Sequence, residues 1–238
     1  MKQIIKTHIE NDYKIIEYDD GTIVKDFISE EFENNSNDFL ENNENQITNN
    51  DILEKLHQLE QIQINSFLTT EYLAAIGFFV VSIQHELSTD SLLPLKGNPQ
   101  IVRRPFWERG ADNILFVINE LKRTNPDLAF NHISLIGHSN GGDMTALFPE
   151  KYPNIVEKII TLDNRRKALP KSKEVKVYSL RSSDQPADEG VIPTVKETKK
   201  YKMKIVKLAN TTHNEMDNNA NDEQRREIQE YILTFIND

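Results

Sequence analysis

His132-Ile133-Ser134-Leu135-Ile136-Gly137-His138-Ser139-Asn140-Gly141-Gly142 is the stretch on which the fold turns. Residues 133–136 have the length and β-branched content of a strand buried on both faces of a parallel sheet. Residues 143–148, with Met144, Ala146 and Leu147, read as the start of a helix. Between them Ser139 is flanked by Gly137 and Gly141, residues that let neighbouring backbone come close. A serine hydroxyl becomes a strong nucleophile only when it is held out of the backbone beside a base, and a sharp strand-to-helix turn holds it so. The G-x-S-x-G pattern alone is weak, because a Gly-rich helix start with Ser139 as its N-cap has the same letters. The strand–turn–helix context favours the nucleophile.

Working outward, the same alternation recurs. Trp107 to Leu121 reads as a helix through Ile114, Leu115, Val117 and Ile118, and Phe67, Leu68, Tyr72 and Leu73 as an earlier one stopped by Gly77. Residues 78–83, 156–162, 175–180 and 204–208 are apolar runs of strand length, and 223–236 is a closing amphipathic helix. Strands alternating with helices predict an α/β fold with a mostly parallel central sheet and helices on both faces. Its ligand site is expected beyond the carboxyl ends of the strands. At the N-terminus, runs at 4–9, 13–18 and 22–27 separated by polar turns predict an antiparallel β meander over residues 1–29. Residues 30–50, rich in Asn, Glu and Asp, read as a solvated loop or insertion, followed by a helix through Ile52, Leu53, Leu56 and Leu59. The whole, residues 1–238, is expected to be one domain with its core at 66–238.

Composition narrows the chemistry. There is no cysteine, which excludes disulfides, thiolate zinc sites and a cysteine nucleophile. The formal net charge of −10 makes nucleic acid and anionic membrane poor partners. The mixed segment Lys196 to Lys202 is expected to be a solvated helix face. Lys and Thr interrupt the first apolar residues, so no signal-peptide core is read there, and no run is long enough to span a bilayer. The expectation is a cytoplasmic protein. His213-Asn214-Glu215 and Gln84-His85-Glu86 join imidazole to carboxylate, but neither is H-E-x-x-H, so no metal and no cofactor is expected.

Three side chains fall just after strands. Ser139 follows the run 133–136, Asp184 follows 175–180, and His213 follows 204–208. A base has to reach the serine, and an acid has to fix the imidazole tautomer and stabilise the imidazolium. Of the six histidines, His213 alone follows a late strand and precedes a closing helix. His138 is expected to pack or hydrogen-bond locally. Asp184 is the expected acid, with Asp188 as a substitute. Asp163, in Leu162-Asp163-Asn164-Arg165-Arg166, is a third candidate, whose basic neighbours favour a structural ion pair. These residues predict a serine hydrolase.

Gly137-His138-Ser139-Asn140-Gly141-Gly142, Arg181-Ser182-Ser183-Asp184 and His213-Asn214-Glu215-Met216 together resemble the α/β-hydrolase fold enzymes, and most of all bacterial esterase- or lipase-like members. Residues 77–87 also look like the strand before the first crossover helix of that group, and the resemblance covers roughly residue 66 to the C-terminus. It implies Ser139 as nucleophile, His213 as base, Asp184 as acid and the backbone N–H of Asn140 as one oxyanion donor. The implied activity is hydrolysis of a small-molecule carboxylic ester through an acyl-enzyme. The sequence departs from the family in one place. Residues 43–65, where a His-Gly type loop usually supplies a second oxyanion donor, hold no glycine; residues 61–65 read as a remnant strand. Loss of one such donor typically slows turnover by on the order of 10²–10³. A hydrolase-fold protein that binds a ligand or partner with little or no turnover is therefore the second reading. Whether the bond cleaved is an ester, amide or thioester leaves no mark in the sequence, nor does the oligomeric state.

Overall fold

The computed structural model describes residues 4–10, 13–18 and 23–27, all as strand, and then 67–86, 90–94 and 96–238. The chain divides into two compact units, Met1–Gln84 and His85–Asp238.

In the first unit, β1 (Ile4–Glu10), β2 (Tyr13–Tyr18) and β3 (Ile23–Phe27) pair in sequence order. Both pairings are antiparallel, with Thr7 opposite Ile16 and Ile16 opposite Val24, which is the predicted meander. The predicted loop at 30–50, the helix through Ile52 to Leu59 and the remnant strand at 61–65 lie outside the described residues. Helix α1 (Phe67–Ala75) ends as the sequence requires. The Phe78 N–H donates to Leu73 O at 3.1 Å, the Gly77 N–H donates to Ala74 O at 3.1 Å, and Gly77 has φ +98°. That is a left-handed helix stop, which only glycine adopts without strain.

Residues 78–83 differ from expectation: they are irregular rather than a strand. Their β-branched and aromatic letters suit a buried strand, but no described strand pairs with them. Without a ladder the run has no reason to stay extended and covered. Phe78, Phe79 and Val81 are accordingly 38%, 55% and 40% exposed.

The second unit opens with α2 (Pro99–Val102) and α3 (Arg104–Thr124), then alternates β4 (Ser134–His138), α4 (Ser139–Lys151), β5 (Lys158–Leu162) and β6 (Lys176–Arg181). It closes with α5 (Val195–Tyr201), β7 (Lys204–Lys207), a short 3-10 turn at His213–Glu215 and α6 (Asp222–Ile236). The four strands are parallel in the order β4-β5-β6-β7, with helices on both faces. This is the predicted α/β class.

Strand β5 is buried at every residue, and the core joins its Ile159 and Ile160 to Val177 and Leu180 of β6 and to Leu147 and Phe148 of α4. Each such side chain contributes about 1.5–3 kcal/mol relative to exposure. Helix α4 packs on β4 and β5 and is backed by α3. In α6, Ile228, Ile232 and Phe235 form a single buried stripe, and Phe235 stacks on Tyr178 of β6 at 4.6 Å. The start of α6 is set by Asn221, whose side chain accepts from the N–H groups of Glu223 and Gln224. Helix α5 buries none of its residues, as the mixed charges at 196–202 predict. Among the described residues no helix is long and apolar enough to cross a membrane.

Candidate active site

The strand-to-helix turn at Ser139 is as sharp as a side chain allows. β4 ends at His138, α4 begins at Ser139, and Ser139 has φ +51°. A left-handed serine is strained by about 1–3 kcal/mol, and packing has to hold it there. Gly137 shows how. A Cβ on it would meet Gly141 O at 2.4 Å and Thr145 Oγ1 at 2.4 Å, so the first turn of α4 lies directly on the strand. Gly142 is also tight, since a Cβ there would come within 2.9 Å of Asn164 Cβ and of Gly137 O. Gly141, expected from sequence to permit close approach, faces open space instead.

From Ser139 a chain of hydrogen bonds runs inward. Ser139 Oγ is 3.1 Å from His213 Nε2, and His213 Nδ1 is 2.6 Å from Asp163 Oδ2. Asp163 follows the end of β5 in a left-handed conformation, φ +52°, with its side chain wholly buried. Its carboxylate accepts from the Ser182 N–H at 3.0 Å and from Ser182 Oγ–H at 2.8 Å, and Arg181 Nη2 lies 3.0 Å from Oδ1 as an ion pair. Burial alone would raise the pKa of this carboxyl. The hydrogen bond from His213, the Arg181 guanidinium and the Ser182 donors outweigh burial and hold it below the ordinary carboxylate value. An ionised Asp163 fixes the proton on Nδ1 and leaves the Nε2 lone pair facing the Ser139 hydroxyl.

Of the three side chains expected from sequence, the structure brings Ser139 and His213 together and leaves Asp184 apart. Asp184 Oδ1 accepts the backbone N–H of His213 at 2.8 Å; it holds the loop and does not meet the ring. Asp188 is engaged by Arg166 Nη1. The reason is the register of the strand ends. Asp163 follows β5, and its N–H donates to Leu180 O on β6 at 2.9 Å, so its side chain starts beneath the His213 loop. The ion pair suggested by its basic neighbours does exist, but with Arg181. Arg165 instead donates to Gln185, and Arg166 to Asp188.

Asn140 places its backbone N–H at the half-buried first turn of α4, where the helix dipole favours negative charge. Its side chain is held by Trp107, whose indole N–H donates to Asn140 Oδ1 at 2.9 Å from a fully buried position on α3. His138 reaches further than expected from sequence. Its Nε2–H donates to the backbone O of His213 at 3.1 Å, and the two rings lie 4.8 Å apart. Burial, and secondarily the neighbouring His213, push its pKa down to about 4, so the ring stays neutral.

A second carboxylate secures the frame. Asp143, one turn beyond Ser139 on α4, is buried and accepts the N–H groups of Arg166 at 3.0 Å and Lys167 at 2.7 Å. It thereby ties the helix to the loop that carries Asp163. Burial pushes its pKa up to about 6 against those hydrogen bonds. A folded-state value above the unfolded one means that protonation favours the native state. This stabilisation is present at acidic pH and lost as pH rises through about 6. Relative to Asp143→Asn, the wild type is expected to gain on the order of 2 kcal/mol between pH 7.5 and pH 4.5. Urea unfolding of both proteins at the two pH values tests this, and parallel pH profiles would refute it.

The sequence does not single out Trp107 or Asp143 for these roles, and it offers Asp163 only as a third candidate for the acid. Their partners lie 33, 23–24 and 50 residues away, beyond any local pattern. Among the described residues no group of three or more His, Asp or Glu side chains is placed to hold a metal.

No family model and no curated protein matches the chain. Solved structures similar to it include a proposed YdeN-like hydrolase from Pectobacterium atrosepticum, at 12% identity over 55% of this chain and 69% of that one, TM-score 0.37. A lipase-esterase related protein from Clostridium acetobutylicum matches at 14% identity over 53% and 75%, TM-score 0.36. A proposed cell-surface hydrolase from Lactobacillus plantarum matches at 18% identity over 56% and 63%, TM-score 0.35.

Proposed function

We propose that this chain is a serine hydrolase of carboxylic esters, working through an acyl-enzyme on Ser139. The observation that carries the reading is the continuous hydrogen-bonded path from Ser139 Oγ through both nitrogens of His213 to the buried carboxylate of Asp163. In the first half-reaction, Ser139 Oγ attacks the ester carbonyl while its proton passes to His213 Nε2. Asp163 stabilises the imidazolium by its hydrogen bond to Nδ1–H and keeps its own charge. The Asn140 N–H, at the positive end of α4, stabilises the oxyanion. Collapse of the tetrahedral intermediate breaks the bond to the alcohol, which takes the proton from Nε2. Water then enters, gives a proton to the same nitrogen and bonds its oxygen to the acyl carbon; the bond to Ser139 Oγ breaks, Oγ takes the proton back from Nε2, and the acid leaves.

Asp163 replaces Asp184 as the acid in this scheme, and Asp184 becomes the anchor of the His213 main chain. No cofactor takes part in this scheme. The reading is tested with a fluorophosphonate probe, which is expected to label the wild type covalently and leave Ser139→Ala unlabelled. Equal labelling of both proteins, or labelling of neither, would reject the proposed nucleophile.

A further inference from the structure

One group of side chains near Ser139 has no part in the scheme above. Arg103 precedes α3 and stands one turn before Trp107, whose indole holds Asn140. Arg165 and Arg166 follow Asp163 by two and three residues, and the Arg166 N–H bonds to Asp143 on the nucleophile helix. Gln100 of α2 donates to Arg166 O, so the segment before α3 and the loop after β5 meet. Three guanidinium groups therefore lie close enough to act on one another, on segments tied by these bonds to the helix that Ser139 begins, in a chain whose net charge is −10.

Among the described residues only one of the three guanidinium groups, that of Arg166, has a carboxylate within ion-pair distance. Arg166 is paired with Asp188. Lys167, next in sequence, is paired with Glu150. Arg103 donates only Nε, to the carbonyl of Pro94 at 3.3 Å, and meets no carboxylate among the described residues within ion-pair distance. Arg165 donates Nη1 to the neutral amide of Gln185, and its Nε is buried with no hydrogen-bond partner. The charges of Asp143, Asp188 and Glu86 reach Arg103 from beyond ion-pair distance; Asp143 has one oxygen committed to two backbone N–H groups, and Asp188 is engaged by Arg166. Holding like charges together beside a partly buried donor is unfavourable unless an anion arrives to share them. A guanidinium offers a planar fork that matches carboxylate and phosphate oxygens alike.

We propose that Arg103 and Arg165 form an anion subsite beside Ser139, and that the substrate is an ester bearing a carboxylate or phosphate on the part held there. This deepens, and rests on, the ester-hydrolase reading. The anion takes no part in bond making. It fixes the ester against Ser139, so its effect falls on kcat/KM of charged substrates alone.

Two matched pairs separate the sources of the charge: 4-nitrophenyl hemiglutarate against 4-nitrophenyl valerate, and 4-acetoxyphenyl phosphate against phenyl acetate. Arg165→Gln and Arg103→Gln are each expected to lower kcat/KM for the charged member of one pair by about 10- to 100-fold, with the neutral member within about twofold. The pair that responds identifies carboxylate or phosphate. An unchanged charged-to-neutral ratio in both variants overturns the subsite while leaving the hydrolase reading intact. If the wild type turns over no ester, the hydrolase reading fails, and calorimetry with glutarate and with inorganic phosphate decides the subsite separately. Binding by wild type that is lost in Arg165→Gln or Arg103→Gln upholds it, and absence of binding by wild type overturns it.

Discussion

Asp163→Asn is expected to lower kcat for an activated ester by about 10⁴, the scale on which a wrongly fixed imidazole tautomer acts in a triad. The substituted side chain keeps its shape and can still accept from the Ser182 N–H. Its amide nitrogen, however, donates where Oδ2 accepted from His213 Nδ1 at 2.6 Å. The ring then turns its proton to Nε2, toward a hydroxyl 3.1 Å away that it can no longer deprotonate. Arg181 also loses its counter-ion, so the variant's unfolding is to be measured beside its activity. Asp184→Asn is the control. Its oxygen still accepts the His213 N–H, so turnover is expected to stay within about tenfold of wild type. Steady-state kinetics on both proteins checks the pair. A deeper loss in Asp184→Asn than in Asp163→Asn would return the acid to the loop after β6.

The second large effect is on folding. Gly137→Ala drives a methyl group to 2.4 Å from Gly141 O and 2.6 Å from Gly141 C, both backbone atoms of α4. A side chain can rotate away from such a clash, but a helix turn cannot retreat without lifting from β4 and taking Ser139 with it. Destabilisation of about 3 kcal/mol or more is expected. Gly141→Ala, four residues on, meets nothing within 4 Å and is expected to gain about 0.5–1 kcal/mol from helix propensity. Urea unfolding of the two variants reads the contrast directly, and equal midpoints would refute this packing of α4 on β4.

Much of the architecture could be read from local pattern. The fully buried β5, the stripe of α6 and the Gly77 helix stop each follow from a few consecutive letters. Residues 78–83 show where that reading ends. Their letters resemble those of β5, but a strand is made by its neighbours, and the ladder partners are not written in the segment itself. The site divides the same way. Ser139 and His213 stand at strand ends in a recognisable order, while the choice among Asp163, Asp184 and Asp188 depends on how β5 and β6 align across the sheet. The arginines beside Asp163 misled because nearness in sequence is not nearness of side chains. Arg165 and Arg166 turn to residues 20 and 22 positions away, and the true counter-ion comes from β6. The two glycines around Ser139 look equivalent as letters, yet one is crowded and the other free.

Ser139 and Asp163 both hold left-handed backbone that a glycine would adopt at less cost. The residues with the greatest claim to the chemistry are thus the ones whose replacement by glycine would relax the chain. At Ser139 thermal resilience and turnover oppose each other, whereas at Asp163 relief of the backbone would cost the ion pair with Arg181; a lineage selected only for heat tolerance would be drawn toward an inert protein of the same shape by way of the serine.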